Sequence, residues 1–300
     1  MAEFPSSSWT DYELLDSGAG EKLERFGAYV LARPEPKALW DKSLSDTEWR
    51  RLAHTSFTPG AGFGKAGKED SGTWNRLHKM DDQWWIRYAN ADGLKMDLRL
   101  GLTSFKHVGV FPEQAPNWDY IYRQTRVLSE RLGRTPRVLN LFAYTGAASL
   151  AAKAAGADVT HLDSVRQVVT WARGNMEQSG MDGIRWVVED AMKFARREAR
   201  RGNRYDGIIL DPPAYGHGPD GEKWKLDECL FEMLCTVGEI LAPKDAFLVL
   251  NLYSNGYSAL LGETVLRQAM SVGSVESGEL ALNDRFGKAL PLSIVVRATR

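Results

Sequence analysis

An aspartate followed by two prolines, Asp211-Pro212-Pro213, with Tyr215 close behind, is the segment of this 300-residue chain best suited to chemistry. Proline fixes φ and carries no N–H, so a strand arriving at Leu210 cannot continue through the pair. The expected product is a stiff loop presenting the Asp211 carboxylate and the Pro212 carbonyl as acceptors, which suits a nucleophile bearing an N–H. Tyr215 adds a flat ring on which a planar base can stack, an interaction of roughly 1–3 kcal/mol per base. A rigid turn with no catalytic duty is the bland alternative.

Three further segments belong with that loop. Asn140-Leu141-Phe142-Ala143-Tyr144-Thr145-Gly146 carries a single glycine where a strand turns into a helix, so a ligand can approach the backbone. A pyrophosphate cradle needs more glycines and an open helix N-terminus, and the lack of Gly-x-Gly-x-x-Gly counts against a nicotinamide or flavin enzyme. Asp163 follows Thr160-His161-Leu162 and can accept from both hydroxyls of a ribose, or it can cap the helix that begins near Arg166. Asp190, ahead of Ala191, can take the exocyclic amine of adenine or serve as an N-cap.

The elements that position these residues alternate regularly. A helical period over Asn117–Arg131 precedes strands at Arg137–Leu141, Val159–Asp163, Arg185–Glu189 and Tyr205–Leu210. Helices at Ala147–Ala155, Arg166–Ser179 and Ala191–Arg201 separate them, and Leu226–Leu241 (helix), Phe247–Leu252 (strand) and Ser258–Met270 (helix) follow. Near-continuous apolar strands between helices predict a parallel sheet covered on both faces. Glu279–Leu282 and Leu292–Ala298 close the chain as a hairpin that adds an antiparallel strand. The fold class is therefore α/β, a doubly wound, seven-stranded, mostly parallel sheet over residues 105–300. Ligands of such sheets lie beyond the carboxyl ends of the strands, where all four segments fall.

Residues 1–104 have another character. They are rich in tryptophan (Trp9, Trp40, Trp49, Trp74, Trp84, Trp85) and include the glycine-studded stretch Pro59-Gly60-Ala61-Gly62-Phe63-Gly64, continuing to Gly67 and Gly72. Trp84–Tyr88 and Lys95–Leu100 flank Asn90-Ala91-Asp92-Gly93, the pattern of a β-hairpin. A small antiparallel β domain is expected. The glycine stretch is a candidate phosphate cradle, although no Gly-Lys-Ser/Thr follows it.

A formal charge of −1 supplies no global field for nucleic acid, so any RNA affinity must be local. No apolar run approaches membrane-spanning length, no secretory signal is evident, and a reducing cytoplasmic setting is expected. Cys229 and Cys235, six apart in one helix beside Leu230, Phe231, Met233 and Leu234, read as packing residues rather than a disulfide or zinc pair. His107 and His217 lack metal-ligand spacing, and no metal is expected. Arg196, Arg197, Arg200, Arg201 and Arg204 read as a solvated helix face or a phosphate contact, and Lys223, Trp224 and Lys225 as a candidate substrate clamp. Asn175 is a helix cap or a neighbour of adenine.

Val138–Gly146 together with Asp211-Pro212-Pro213 resembles the class I S-adenosylmethionine-dependent methyltransferases. Within them the chain resembles the bacterial large-subunit ribosomal-RNA methyltransferases with an N-terminal β domain. Phe105-Lys106-His107-Val108-Gly109-Val110-Phe111-Pro112-Glu113-Gln114 is similar to that group's Gly-aromatic-aromatic-x-acid-Gln segment, although Ala115 stands where arginine usually follows. The resemblance implies S-adenosylmethionine as cofactor. It places Phe111 and Gln114 beside it, Asn140, Phe142, Tyr144, Thr145, Gly146, Asp163 and Asp190 around it, and Asp211, Pro212 and Tyr215 toward an RNA substrate. Members that methylate cytosine C5 carry a cysteine after the fifth strand. Here Leu250-Asn251-Leu252-Tyr253-Ser254 stands in its place, so methylation of a heteroatom, nitrogen first, is expected without a covalent cysteine step. A small molecule or protein is the alternative acceptor. The oligomeric state is left open.

Overall fold

The structure is a computed structural model that describes residues 1–6, 8–62, 70–253 and 256–300. Its first part comprises β1 (Ala2–Glu3), β2 (Tyr12–Gly18), β3 (Glu21–Phe26), β4 (Tyr29–Pro34), α1 (Asp46–Leu52), β5 (Thr55–Pro59) and β6 (Gly72–Arg76). β2 to β6 form a five-stranded sheet in chain order. The expected all-antiparallel arrangement needs correction, because β4 and β5 pair in parallel. Residues 35–54, including α1, supply the crossover that a parallel pair requires. α1 begins with a capping box in which Ser45 and Glu48 each bond the other's backbone N–H. It buries Trp49 with Leu15, Leu23, Val30 and Ala32 on one face of the sheet. The glycine stretch is the β5–β6 connection, and Phe63, Gly64 and Gly67 lie outside the described residues.

β7 (Gln83–Ala89) and β8 (Lys95–Gly101) form the anticipated hairpin, with Gly93 at φ +98° in its turn. The hairpin stands as its own two-stranded sheet and packs on helices of the larger unit.

That unit runs from a short 3-10 turn at Pro112–Gln114 into α2 (Ala115–Leu132), then β9 (Arg137–Leu141), α3 (Ala147–Ala154), β10 (Asp158–Asp163) and α4 (Arg166–Gln178). β11 (Arg185–Val188), α5 (Ala191–Arg200), β12 (Gly207–Leu210), β13 (Tyr215–His217), β14 (Lys223–Lys225) and α6 (Leu226–Ile240) follow. β15 (Phe247–Leu252), α7 (Ala259–Ala269), β16 (Val275–Asn283) and β17 (Ala289–Thr299) complete the chain. The large sheet has the order β1-β16-β17-β15-β12-β9-β10-β11. β9 to β12 and β15 are parallel, and β17 inserts antiparallel to β15 and β16. Seven strands reproduce the expected doubly wound sheet; β1, parallel to β16, adds an eighth.

The period of two along each strand sorts its side chains between two cores. Val138, Ile209, Phe247 and Val249 join the core beneath α2 and α3. Leu139, Leu141, Ile208, Leu210, Leu248 and Leu250 join the one beneath α5, α6 and α7. The first of these cores continues into the N-terminal part. There Trp9, Tyr88 and Trp118 meet edge to face with centroids 5.1–5.7 Å apart, and Trp9, Tyr88 and Trp118 are buried.

Candidate active site

Because the strands are parallel, the segments after β9, β10, β11, β12 and β15 gather at one rim. The turn after β9 is built under strain. Phe142 and Tyr144 have φ of +57° and +49°, left-handed values that cost a non-glycine residue about 1–3 kcal/mol each. Surrounding bonds hold them there. The Tyr144 N–H donates to Asp163 Oδ2 (2.9 Å), Thr145 Oγ1 donates to the Gly109 carbonyl (2.6 Å), and Asn175 Nδ2 donates to the Thr145 carbonyl (2.9 Å). Asn175 Oδ1 also accepts from the Arg99 N–H, which fastens the β7–β8 hairpin to the same turn. Gly146 sits at φ +90°, and a Cβ there would lie 3.0 Å from that of Ala172. Only glycine closes the turn without displacing α4.

Two adjoining chambers open at the rim. The larger, about 340 Å³, is lined by Phe111, Phe142, Tyr144, Asp163, Asp190, Asp211, Pro212, Tyr215 and Tyr253, among others. The smaller and deeper, about 50 Å³, takes Gln114, Asn140, Thr145, Gly146 and Asn251. Phe111, Phe142, Tyr144 and Asp211 form their common wall. All twelve candidate residues therefore line one chamber or the other.

Their polar atoms are not equally available. Asp163 spends one lone pair on the Tyr144 N–H and another on that of Val165 (3.0 Å), and burial raises its pKa despite these bonds. Asp190 is the N-cap of α5, accepting from the Lys193 N–H at 2.8 Å. The Thr145 hydroxyl is committed to Gly109. Asn140 donates to Ser149 Oγ (2.9 Å), which contacts His161 Nδ1 (3.0 Å), while Asn140 Oδ1 is buried without a protein partner. Gln114 donates to the Tyr253 hydroxyl (3.1 Å) and accepts from Asn117 (2.7 Å), whose own oxygen is held by Arg297.

Asp211 stands at the centre. Burial pushes its carboxyl up to about 7, the hydrogen bond from Asn251 (2.8 Å) opposes the rise, and the nearby Glu113 charge adds to it. Beyond Pro213 the chain forms the small ribbon β13–β14, which the sequence reading did not contain. Trp224 is buried on one face of it, its indole N–H on the Pro213 carbonyl (2.7 Å) and its ring 4.7 Å from Phe142. Trp224 thus anchors the loop from below. Tyr215 pairs across the ribbon with Lys225 and His217 with Lys223, so these four side chains share the opposite face.

Asn251 and Tyr253 were not singled out from the sequence. A polar residue inside Phe247-Leu248-Val249-Leu250-Asn251-Leu252 was the available signal, because a buried amide in an apolar strand must have partners. His107 faces the larger chamber, bonded to Asp70 (2.9 Å) and packed on Phe111. Arg196, Arg197 and Arg201 pair with Glu232, Glu189 and Glu198 respectively, so three of the five arginines of the basic run are matched by carboxylates. Cys229 and Cys235 are on α6, outside both chambers, and Ser254 lies outside the described residues. Among the described residues there is no cluster suited to a metal ion and no helix long and apolar enough to cross a membrane.

The sequence model of the S-adenosylmethionine-dependent methyltransferase family matches residues 84–286. The chain belongs to that family. A crystal structure of such a methyltransferase from Agrobacterium tumefaciens is 38% identical, with a TM-score of 0.87 over 99% of this chain and 93% of that one. A putative methyltransferase crystallised with S-adenosylhomocysteine shares the fold at 16% identity and a TM-score of 0.72, over 98% of this chain and 76% of that one. Among curated relatives, ribosomal RNA large subunit methyltransferase K/L of Shewanella baltica strain OS195 is 27% identical over 72% of this chain, and that of Shewanella frigidimarina 25% over 80%. The chain spans about a third of the length of those relatives, 29% and 34%.

As a member of this family the chain uses S-adenosylmethionine as its methyl donor. The larger chamber suits that molecule. Its volume is in the range of small-molecule sites. The described residues that line it include Asp163, Asp190 and Asp211, with Glu189 already paired to Arg197, and no lysine or arginine. Such a wall favours a sulfonium and disfavours a pyrophosphate.

Proposed function

We propose that the enzyme methylates a nitrogen atom of RNA, with ribosomal RNA as the substrate class, and that no cysteine adduct forms. The observation that carries this reading is Asp211 on the wall shared by both chambers, its carboxyl poised near 7, followed by the proline-stiffened loop. Bound S-adenosylmethionine supplies an electrophilic methyl group. The protein's task is then to hold the nucleophile in line and receive its proton, and orientation alone lowers such barriers substantially. Asp211 and the Pro212 carbonyl accept from the acceptor N–H, and a carboxylate titrating near neutrality is matched to proton removal at working pH.

Asp163 is assigned to the ribose hydroxyls and Asp190 to the adenine amine, each through lone pairs left over from its backbone bonds. Phe111, Phe142 and Tyr144 supply apolar walls, while Gln114, Asn140, Thr145 and Gly146 shape the deep chamber. RNA is favoured by the ribbon face of Tyr215, His217, Lys223 and Lys225, where aromatic and basic groups adjoin the mouth. The names of the curated relatives point the same way. Residues 1–104 act, in this reading, as an accessory unit to the catalytic residues 105–300, in a cytoplasmic enzyme.

The test is transfer of labelled methyl to total RNA from cells lacking the gene, with protein and metabolite fractions in parallel, and nucleoside analysis of the product. An N-methylated nucleoside is expected. Label confined to metabolites or proteins overturns the substrate class, and a product methylated at pyrimidine C5 overturns the acceptor atom.

A further inference from the structure

Behind Asp211 lies a pair of buried polar side chains to which the reaction assigns no part. Asn251, on β15, is 2% exposed and Ser293, on β17, is 4% exposed. Ser293 Oγ donates to Asn251 Oδ1 at 3.0 Å, and Asn251 Nδ2 donates to Asp211 Oδ1 at 2.8 Å. The inserted antiparallel strand thus reaches across β15 to the end of β12.

We infer that Ser293 and Asn251 are positioning residues that keep Asp211 in one orientation in both of its protonation states. The argument follows from what each group can give and take. A carboxylate only accepts hydrogen bonds, whereas a carboxyl group also donates one. An amide presents a donor on one side and an acceptor on the other, and a hydroxyl is both. With Asp211 ionised, the observed order satisfies every group. With Asp211 protonated, a half-turn of the Asn251 amide presents Oδ1 to the new O–H and Nδ2 to Ser293 Oγ. Both bonds survive, and the Asp211 side chain need not move.

The charged and titratable groups around Asp211 cannot do this. Glu113, from the turn before α2, disfavours the ionised form by its charge. Tyr253, after β15, is held neutral by burial, and its hydroxyl already accepts from Gln114.

The inference rests on the reading that Asp211 receives the acceptor's proton. The nitrogen lone pair takes the methyl group as the methyl–sulfur bond breaks with its electron pair left on sulfur, and the N–H bond then breaks with its pair returned to nitrogen. The proton joins the Asp211 carboxylate, whose charge goes from −1 to 0, and later leaves to solvent. Without the pair, the buried carboxyl loses the side-chain hydrogen-bond donor that it has among the described residues, and nothing in that pair then holds it in one rotamer through the turnover.

The decisive measurement is the pH profile of single-turnover kcat/KM for Ser293→Ala, Asn251→Leu, Ser293→Thr and Asp211→Asn, with S-adenosylmethionine affinity measured by calorimetry. The amide bonds either form of Asp211, but its bond to the ionised carboxyl is charge-assisted and the stronger of the two, so its weakening moves the acid limb of the profile upward, by about half a pH unit or more in Ser293→Ala and further in Asn251→Leu. Ser293→Thr restores the wild-type limb, and Ser293→Ala leaves cofactor affinity unchanged. A lowered rate with an unmoved limb in both Ser293→Ala and Asn251→Leu overturns the inference, while loss of turnover in Asp211→Asn leaves the wider reading intact. Full turnover in Asp211→Asn overturns both. Should Ser293→Ala fail to fold, Asn251→Leu alone carries the comparison.

Discussion

Replacing Asp163 by alanine should uncouple two roles that one carboxylate now performs. Toward the protein it accepts from the Tyr144 and Val165 N–H groups, at 2.9 and 3.0 Å. Toward a ligand it offers its remaining lone pairs to two ribose hydroxyls. Hydrogen bonds to a charged group contribute about 1.5–3 kcal/mol each, so losing two removes at least ~3 kcal/mol of binding. At about 1.4 kcal/mol per decade, the dissociation constant for S-adenosylmethionine rises roughly a hundredfold or more. Separately, two backbone donors lose their partner and Tyr144 keeps a left-handed φ of +49°, so the fold loses about 2–4 kcal/mol. Asp163→Asn retains one acceptor but turns an NH2 toward an N–H, and should fall between the two proteins in both respects. Calorimetric titration with S-adenosylmethionine and with S-adenosylhomocysteine, beside urea unfolding, separates the effects. Wild-type affinity in a folded Asp163→Ala protein would refute the ribose assignment.

Other outcomes follow from the same bonds. Asp211 has a folded pKa of about 7, above its unfolded value, so the native state binds the extra proton between the two; stability is lost as pH rises through that window. Asp211→Asn should therefore lose turnover yet melt higher than wild type near pH 8, with a smaller gain near pH 5 by scanning fluorimetry; equal gains at both would contradict the burial argument. Asp16 is fully buried, and although burial opposes ionisation, the bonds from Lys288, Leu44 and Trp49 hold its pKa below the usual range. Breaking a buried pair costs about 3–5 kcal/mol, and since Lys288 keeps partial access to water, Asp16→Ala should cost about 3 kcal/mol in urea unfolding, with less than ~1 kcal/mol counting against it. Tyr215→Ala should raise KM for RNA roughly 5- to 100-fold with no change in cofactor affinity, and Tyr215→Phe should retain most of the binding. A matching loss of cofactor affinity in Tyr215→Ala would place the ring against the wrong ligand.

The catalytic sheet was legible because its strands are apolar runs broken by helices of clear period. Arg137–Leu141 and Phe247–Leu252 coincide with the strands observed. The rim residues were legible because they follow those strands directly. The front of the chain was less so. In β2 to β4 buried charge interrupts the alternation: Glu24 is fully buried against Arg33 and Lys22, which no hydropathy pattern reveals. The capping signal Ser45-Asp46-Thr47-Glu48 was present before α1 but starts only a seven-residue helix. The ribbon after Pro213 has three-residue strands, too short to show a period, and depends on Trp224 finding Phe142. The resemblance places Thr145 around the cofactor, and no local pattern reveals that its hydroxyl is held by the Gly109 carbonyl, 36 residues away in the chain.

Residues 2 and 3 lie beside residues 279 and 280 at the margin of the catalytic sheet, with Glu3 gripping Arg297 of β17. A growing polypeptide meets this contact in reverse order, since the opening residues must wait, unpaired, until β16 and β17 have been made. Proteolytic nicks in the intervening loops should then leave fragments that stay together, and β1 should gain protection only after the last two strands are in place.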